Sequence, residues 1–321
     1  MNAKENILVA DIGGTNARFA LAHVGDEIRL ENIQILATGE FEKLEDAVET
    51  FLSNMKGPRP QKAAIAVAGP IVEDRVKMTN CDWRFLQSGL AKSLSMKEVT
   101  VLNDFEAIAC AIPYLDQRKI LQIGPGKPDP EGNIVVVGPG TGIGVSALTP
   151  VGSGWKILTS EGGHVGFAPS NEVEQNLLRI ISSEYPRVSV ERLISGKGLG
   201  ALYQALGTLN EVSLPPLSSK EITTLALKNA DEYSIQTLEM FCAILGSFAG
   251  DLAVTFNATG GVYLAGGILP KIQDFFLKSP FRKRFEDKGR LDFVKNIPTY
   301  QILEAQPALI GAAAKTQGKF L

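Results

Sequence analysis

Residues 7–21 read ILVADIGGTNARFAL, and this stretch decides the fold. The run from Ile7 to Ala10 is apolar and rich in β-branched residues, which predicts a buried strand. Gly13 and Gly14 predict a tight turn, and the apolar pattern resumes from Ala17 to Leu21 as a second strand. The stretch therefore predicts a β-hairpin.

The tip of this hairpin carries polar groups suited to an anion and a metal. Asp11 ends the first strand, and a carboxylate there is costly to bury unless it meets a cation or several donors. The glycines let a ligand approach the backbone, whose N–H groups can form an anion-binding concavity, and Thr15 and Asn16 add side-chain donors. A carboxylate beside such a pocket is typical of a divalent metal held with nucleotide phosphates. From this stretch alone, an ordinary hairpin with a capping Asp remains the alternative.

Length and composition indicate an ordinary globular protein of roughly two domains. The chain has 321 residues, of which 45% are hydrophobic and 21% charged, enough to build real cores. Its formal net charge of -3 provides no basic field for nucleic acid or an anionic membrane. We therefore expect neither nucleic acid nor membrane as a partner.

The cysteines and the apolar runs favour a cytoplasmic location. Cys81, Cys110 and Cys242 are far apart and odd in number, so they suggest neither a disulfide framework nor a metal site. We expect reduced, mostly packed thiols. Only about six apolar residues precede Asp11, too few for a signal peptide, and no run of about 18 apolar residues occurs.

The first third of the chain alternates strands with helices. Residues 28–38 predict strand, 42–56 an amphipathic helix, and 62–72 a strand followed by the strand-like DRVKMTN, an order that favours α/β with a central mixed sheet. In 99–115 a buried strand ends at Asn103, and a helix follows until Pro113. Asn103 and Asp104 then lie at the strand end where α/β proteins usually bind ligands, although helix capping alone is the alternative.

Residues 133–148, NIVVVGPGTGIGVSAL, repeat the opening pattern. The strand at 134–137 matches 7–10, and Gly140-Thr141-Gly142 matches 13–15, at an offset of 127 residues. A matched pair of hairpins predicts a duplicated fold with a cleft between the halves and an anion site on each wall. Gly138 replaces Asp11, so one wall supplies the metal carboxylate. A chance likeness of two Gly-rich hairpins is the alternative.

The second half holds two further polar positions. Glu161 and His164 flank two glycines and are either a satisfied loop pair or partners for hydroxyl groups. Residues 188–206 predict a helix that begins at Ser189, and the helix dipole alone would explain Glu191 in its first turn.

Apolar elements complete the chain. Residues 241–254 predict a core helix, 260–270 a buried strand that ends on glycines, and 307–317 a short Ala-rich helix after Pro307.

Taken together, these motifs resemble bacterial glucokinases of the non-ROK type, within the actin-like, hexokinase and Hsp70 ATPase superfamily. The matching motifs, in order and over nearly the whole chain, are DIGGTNARFAL, AVAGPI, MTN, LNDFEAIACAIP, GPGTGIGV, EGGHVGFAP, SVERLISGKGL, FEDKGR and IPTYQI. The resemblance implies a two-lobed actin-like ATPase (ribonuclease H-like) α/β fold with a duplicated mixed-sheet core and an interdomain cleft. It implies a small domain of residues 1–113 plus 305–321, a large domain of 114–304, and a homodimer.

The resemblance also implies an activity and its residues. The reaction would be ATP-dependent phosphorylation of D-glucose at the 6-hydroxyl, the entry to glycolysis, with Mg²⁺ and with Asp104 as catalytic base. The sugar would be bound by Asn103, Asp104, Glu161, His164 and Glu191. The nucleotide would be bound by Ala10, Asp11, Ile12, Gly13, Gly14, Thr15, Gly138, Gly140, Thr141 and Gly142, with Gly266 and Gly267 near the adenosine. Asp11 would position the metal indirectly.

Four alternatives stay open at this point. A ROK sugar kinase carries a Cys-rich zinc motif after its His, but residues 165–190 contain no cysteine. The sugar could be another hexose. The donor could be polyphosphate, although no basic track is visible. A sugar-sensing regulator would carry a DNA-binding module before the first strand, for which we expect no room.

Overall fold

The structure is a computed structural model that describes residues 6–78 and 81–321. The strands are β1 (Asn6–Ile12), β2 (Asn16–His23), β3 (Arg29–Ala37), β4 (Lys62–Val67), β5 (Ile71–Val72), β6 (Arg75–Lys77), β7 (Arg84–Leu86), β8 (Glu98–Asn103), β9 (Ile120–Gln122), β10 (Ile134–Pro139), β11 (Ile143–Val151), β12 (Gly154–Ser160), β13 (Gly261–Leu264) and β14 (Thr299–Ile302). The α-helices are α1 (Leu44–Ser53), α2 (Gln87–Ser93), α3 (Asp104–Ala111), α4 (Glu172–Ser182), α5 (Gly196–Leu209), α6 (Ser219–Leu227), α7 (Glu232–Thr255), α8 (Gln273–Phe276), α9 (Phe281–Glu286) and α10 (Pro307–Lys315).

Contacts between residues divide the described chain into two compact units. The first contains the described residues up to Ile120, Leu148–Leu158 and Glu304–Leu321, and the second contains Leu121–Ala147 and Thr159–Leu303. These units differ from the predicted domains mainly in residues 114–120 and 148–158, which group with the first unit. The domain boundaries drawn from the sequence stay a prediction.

The first unit is built on a five-stranded sheet in the order β3-β2-β1-β4-β8. β1 pairs antiparallel with β2 and parallel with β4, which in turn pairs parallel with β8. The predicted hairpin is therefore confirmed. β1 is buried on both faces from Ile7 to Ala10, which is typical of a central parallel strand.

Helices cover this sheet with the faces that the sequence pattern indicates. In α1, Leu44, Val48 and Phe51 are buried, and the Phe51 ring stacks on Phe19 of β2 with centroids 5.5 Å apart. α10 packs against α3, β1 and β4, and every residue from Ala308 to Ala314 is buried. The C-terminal helix is thus part of the first unit's core.

The other large sheet has the order β12-β11-β10-β13-β14-β9. β10, β13 and β14 run parallel, with Val137 opposite Leu264 and Leu264 opposite Gln301. α7 belongs to the same unit as β13. It is the one helix of the described residues long and apolar enough to cross a membrane by length and composition, but 72% of its apolar window is buried inside the protein, as in a core helix.

Two sequence predictions differ from the structure. Residues 188–206 do not form one helix, because a short 3₁₀ helix, Val190–Arg192, is followed by α5, whose N-cap is Ser195. The Ser195 hydroxyl accepts the N–H of Gly198 at 3.1 Å, whereas Ser189 makes no side-chain cap bond. In the predicted strand DRVKMTN, β6 covers Arg75–Lys77, and residues 79–80 lie outside the described residues.

Candidate active site

The loop of residues 13–15, called here the first loop, joins β1 to β2. The N–H of Gly13 donates to the carbonyl of Asn16 at 2.9 Å, which closes the turn. Across residues 6–78 and 81–321, no acceptor is bonded to the N–H groups of Gly14 and Thr15, and Thr15 is exposed. The first loop thus has backbone donors available for an anion, as the sequence predicts.

Asp11 lies at the end of β1 and is paired across the hairpin with Arg18 of β2. Arg18 Nη1 donates to Asp11 Oδ2 at 3.2 Å, and the two side chains are 34% and 19% exposed. Burial raises the pKa of the Asp11 carboxyl, and the positive charge of Arg18 opposes that rise. The cation that a half-buried Asp11 requires is therefore present in the hairpin itself.

Asn103 ends β8, and Asp104 begins α3. Asn103 Oδ1 accepts the N–H groups of Phe105 at 2.9 Å and Glu106 at 3.4 Å, so this side chain does cap the helix. Its Nδ2 donates to the carbonyl of Gly69 at 3.4 Å. The capping interpretation therefore holds for the Asn103 carbonyl, whose oxygen already accepts two bonds. The amide nitrogen carries two N–H donors and gives one to Gly69, which leaves the other for a ligand.

Asp104 is half-buried. It lies at the same sheet edge as Asp11, because β1, β4 and β8 are parallel and end together. Burial, assisted by the negative charge of Asp11, raises the pKa of Asp104 to about 7. The N–H of Phe105, which donates to Asp104 Oδ1 at 3.0 Å, opposes this rise. The result is a carboxyl group with the pKa of a general base that operates near neutral pH.

In the second unit, the loop of residues 140–142, called here the second loop, joins β10 to β11. The N–H of Gly140 donates to the carbonyl of Gly142 at 2.7 Å. β13 ends beside β10, where the N–H of Ala265 donates to the carbonyl of Val137 at 2.9 Å. Gly266 then adopts a φ of +89°, and a Cβ at this position would overlap the carbonyl of Pro139. The predicted phosphate glycines and the predicted adenosine glycines thus lie together at one sheet edge.

Two chain segments bring the polar candidates of the second unit near one another. The N–H of Val190 donates to the carbonyl of Val165 at 3.0 Å, and the N–H of Phe167 donates to the carbonyl of Val188 at 3.0 Å. Glu161 and His164 precede one segment and Glu191 follows the other. Their order along these paired segments explains how residues distant in sequence can serve one ligand.

Glu161 and His164 point largely into solvent. Their side chains are 75% and 60% exposed, with His164 Nε2 at 3.8 Å from Glu161 Oε2. Neither is buried by other parts of its unit, so both can bond a ligand from solvent.

Glu191 has a different environment from the one predicted. Its Oε2 accepts the N–H of Ile143 at 3.1 Å, at the end of the second loop. A Cβ at Gly142 would overlap this oxygen, so the carboxylate can approach only because residue 142 is glycine. Glu191 does lie in the first turn of a helix that follows Ser189, but this is a three-residue 3₁₀ helix, and the carboxylate also bonds Ile143 beside the second loop.

Comparison with known proteins decides the family. The family model for glucokinase matches residues 8–319. A glucokinase from Chromobacterium violaceum is 45% identical over 308 residues, which cover 96% of this chain and 88% of that protein. A glucokinase from Nitrobacter hamburgensis is 43% identical over 308 residues, 95% of each chain. This chain belongs to the glucokinase family.

Solved structures agree with this glucokinase assignment. A crystal structure of a glucokinase from an Antarctic psychrotroph matches with a TM-score of 0.90 and 38% identity over 98% of this chain and 99% of that one. A ROK family glucokinase from Streptomyces griseus, solved with glucose and AMPPNP, matches with a TM-score of 0.64 and covers 96% of this chain and 98% of that one. At 18% identity it shows the fold alone. The α/β, actin-like ATPase fold class is confirmed, and the chain is an enzyme of the glucokinase family.

The donor set of this glucokinase family member fits a hydrated Mg²⁺. Among the described residues, no group of three or more His, Cys, Asp or Glu side chains could hold a metal by itself. Mg²⁺ usually keeps several waters and binds through one or two carboxylates together with substrate phosphates. Asp11, beside the free donors of the first loop, is such a carboxylate.

Two residues near the site of this glucokinase family member lie outside the sequence motifs. Thr38 contacts the first loop through its hydroxyl and its N–H, and Arg187 Nη1 donates to the carbonyl of His164 at 2.7 Å. Thr38 is 24 residues from Gly14 in sequence and Arg187 is 23 from His164. The only local sequence signal that could have indicated Thr38 is its position directly after a strand. No local signal indicates Arg187.

Proposed function

We propose that this chain transfers the γ-phosphoryl group of ATP to the 6-hydroxyl of D-glucose, giving ADP and glucose 6-phosphate. The observation that carries the proposal is the position of Asp104. This half-buried residue, with a pKa of about 7, lies at the same sheet edge as the free N–H groups of the first loop. Family membership supports the sugar, and the first loop and Asp11 support the nucleotide.

Asp104 acts as the general base. As the sugar oxygen forms its bond to the γ-phosphorus, the bond from that phosphorus to the leaving oxygen of ADP breaks, and Asp104 accepts the hydroxyl proton. Mg²⁺, when bound near Asp11, neutralises charge on the phosphate oxygens. The N–H groups of Gly14 and Thr15 hold the phosphates in place.

The sugar is recognised by groups that match its hydroxyls. Each hydroxyl can donate one hydrogen bond and accept two, so carboxylates, an amide and an imidazole are suitable partners. Asn103 and Asp104 carry such groups in the first unit. Glu161, His164 and Glu191, which the family resemblance implies as sugar ligands, carry such groups in the second unit. Positioning of this kind is the largest part of what phosphoryl transfer requires.

The direct test measures ADP and sugar phosphate formation by the purified chain. Glucose, mannose, fructose and N-acetylglucosamine are each supplied with ATP, and glucose is also supplied with polyphosphate. We expect ATP-dependent product with glucose at the highest kcat/KM. A higher value with another hexose would contradict the proposed substrate, product from polyphosphate alone would contradict the donor, and no product would contradict the activity.

We also propose that the protein is cytoplasmic and acts as a homodimer. Free cysteines at positions 81, 110 and 242 and the mostly buried α7 support the first point. The resemblance to the family supports the second. Light scattering after size-exclusion chromatography gives the mass in solution, and a mass equal to one chain of 34.5 kDa would contradict the dimer.

A further inference from the structure

We propose that Thr38 is a positioning residue for the first loop, and that its hydroxyl strengthens the binding of ATP. The inference rests on the proposed function, because it takes the first loop to be the phosphate site. It names a residue outside every motif that points to that site.

Thr38 is held directly against the first loop. It follows the last residue of β3, Ala37, which is paired with Asn16 of β2. Its Oγ1 donates to the carbonyl of Gly14 at 2.8 Å, and its N–H donates to the carbonyl of Thr15 at 3.0 Å. Only 2% of its surface is exposed. A buried threonine thus has both of its donors on consecutive carbonyls of one loop.

These bonds determine which way the loop's donors face. In a trans peptide the carbonyl of Gly14 and the N–H of Thr15 belong to one planar unit and point in opposite directions. Because the carbonyl points to Thr38, the N–H of Thr15 points away from it, on an exposed residue with no bonded acceptor among the described residues. Thr38 therefore keeps this N–H ready for an anion.

The first loop needs such support because of its own sequence. The peptide between residues 14 and 15 rotates through ψ of Gly14 and φ of Thr15, and Gly14, which has no Cβ, restricts its own half of that rotation little. Rotation would turn the carbonyl of Gly14 toward the ligand, where its negative end would repel phosphate. The Thr38 hydroxyl opposes this rotation.

The second loop is supported in another way. The N–H of Gly196, at the start of α5, donates to the carbonyl of Gly140 at 2.8 Å, and Glu191 accepts the N–H of Ile143. A change at Thr38 therefore leaves the second loop in place. We expect weakened ATP binding and not its loss.

The test replaces Thr38 with Val, which keeps the shape and the backbone N–H but removes the hydroxyl. One lost hydrogen bond predicts a rise of about tenfold in KM for ATP, with KM for glucose within about twofold of wild type. Thr38→Ser keeps a hydroxyl and should restore KM for ATP. Glu40→Gln, an exposed change two residues away, is the matched control.

Thr38→Ala is measured in parallel in case Thr38→Val does not fold. The dissociation constant for ATP, from calorimetry on the full chain, reports the nucleotide without catalysis. An unchanged KM and dissociation constant for ATP in either folded, hydroxyl-free variant would overturn the role of Thr38, as would an equal rise in KM for glucose and ATP. If the wild-type chain binds ATP but makes no product, only the proposed function is overturned. If the wild-type chain binds no ATP, the proposed function and the role of Thr38 are both overturned.

Discussion

The environment of Asp104 combines two effects that act in opposite directions on catalysis. Burial and the nearby charge of Asp11 raise its pKa to about 7, which makes its carboxylate a stronger base than an exposed Asp. The same shift means that part of the population is protonated near neutral pH. A base with a pKa near the working pH gives the best compromise between the two.

The first prediction concerns Asp104→Asn. The amide keeps the size and the polar contacts of the side chain but cannot accept the sugar proton, so we expect kcat to fall by at least roughly 100-fold while glucose binding stays measurable. Steady-state kinetics and calorimetry with glucose check this. Near-normal turnover would remove Asp104 from the mechanism.

Stability separates this loss from misfolding. The raised pKa means that the folded chain binds the Asp104 proton more tightly than the unfolded chain. The stability gained in this way is fully present below the unfolded pKa, 3.8, and is lost as the pH rises through about 7. Asp104→Asn should therefore be at least as stable as wild type at pH 8. Asp26→Asn, an exposed change, is the control for both measurements.

The second prediction concerns pH. Because Asp104 must be ionised to accept a proton, kcat/KM should fall with a slope of one below pH about 7. Asp11→Asn removes the negative charge that helps to raise this pKa, so the acid limb should move to lower pH even though activity itself declines. The pH profile and a carbon NMR titration of Asp104 measure the shift. An acid limb at the same pH in Asp11→Asn would contradict the coupling of the two carboxylates.

Elements with strong local patterns could be predicted from the sequence. β1, β2, β8 and α3 follow from apolar runs, glycine turns and a capping Asn, and the repeat at an offset of 127 residues locates the second loop. All of these signals lie within about 15 neighbouring residues or in direct repetition.

What the sequence could not provide depends on distant parts of the chain. The hydroxyl of Thr38 bonds Gly14, 24 residues away, and the carboxylate of Glu191 bonds Ile143, 48 residues away. No periodicity encodes such pairings. The break before α5 was missed because Ser189 and Ser195 are both good N-cap residues. Only tertiary bonds, such as that from the N–H of Gly196 to the carbonyl of Gly140, select Ser195 as the N-cap of α5.

The third prediction tests how α4 is joined to α9. Glu174 has no exposed side-chain surface and accepts Arg284 Nη1 at 2.6 Å and Nη2 at 3.2 Å, together with the N–H of Ser170 at 2.7 Å. Arg284→Met would leave a buried carboxylate without its cation, which typically costs about 3–5 kcal/mol of unfolding free energy. Urea unfolding of wild type and Arg284→Met measures this difference in unfolding free energy.

The matched control is an exposed ion pair on the same chain. Arg29 and Glu27 are each 76% exposed with Nη2 at 3.0 Å from Oε2, so Arg29→Met should cost about 0–1 kcal/mol. Equal losses of unfolding free energy in Arg284→Met and Arg29→Met would show that burial of Glu174 does not strengthen its ion pair with Arg284.

At the scale of the whole molecule, the chain does not build its units one after the other. The first unit takes its five-stranded sheet and α3 from the first 111 residues, Leu148–Leu158 from the middle of the sequence and α10 from near its end. α10 meets α3 so closely that a Cβ at Gly311 would overlap the carbonyl of Ala107. The first unit therefore cannot complete its core until α10 has been made.

The last prediction follows from this arrangement. Deletion of residues 304–321 removes a helix that is buried from Ala308 to Ala314 and exposes the apolar surfaces of β1, β4 and α3 that it covers. The loss of this buried area should leave the first unit unfolded, seen as collapsed amide dispersion for its residues in a ¹⁵N spectrum. Deletion of Leu321 alone, whose side chain is 73% exposed, is the control and should leave the spectrum intact.

Adding back the missing segment makes this test sharper. A nine-residue helix is marginal in water by itself, so a peptide of residues 304–321 should be disordered alone and become helical only on the truncated chain. Recovery of both the amide spectrum and ATP-dependent turnover would show that the core around α10 holds β1 and β8 where Asp11 and Asp104 act. A truncated chain that keeps its native spectrum without the peptide would show that α10 is not required for that core.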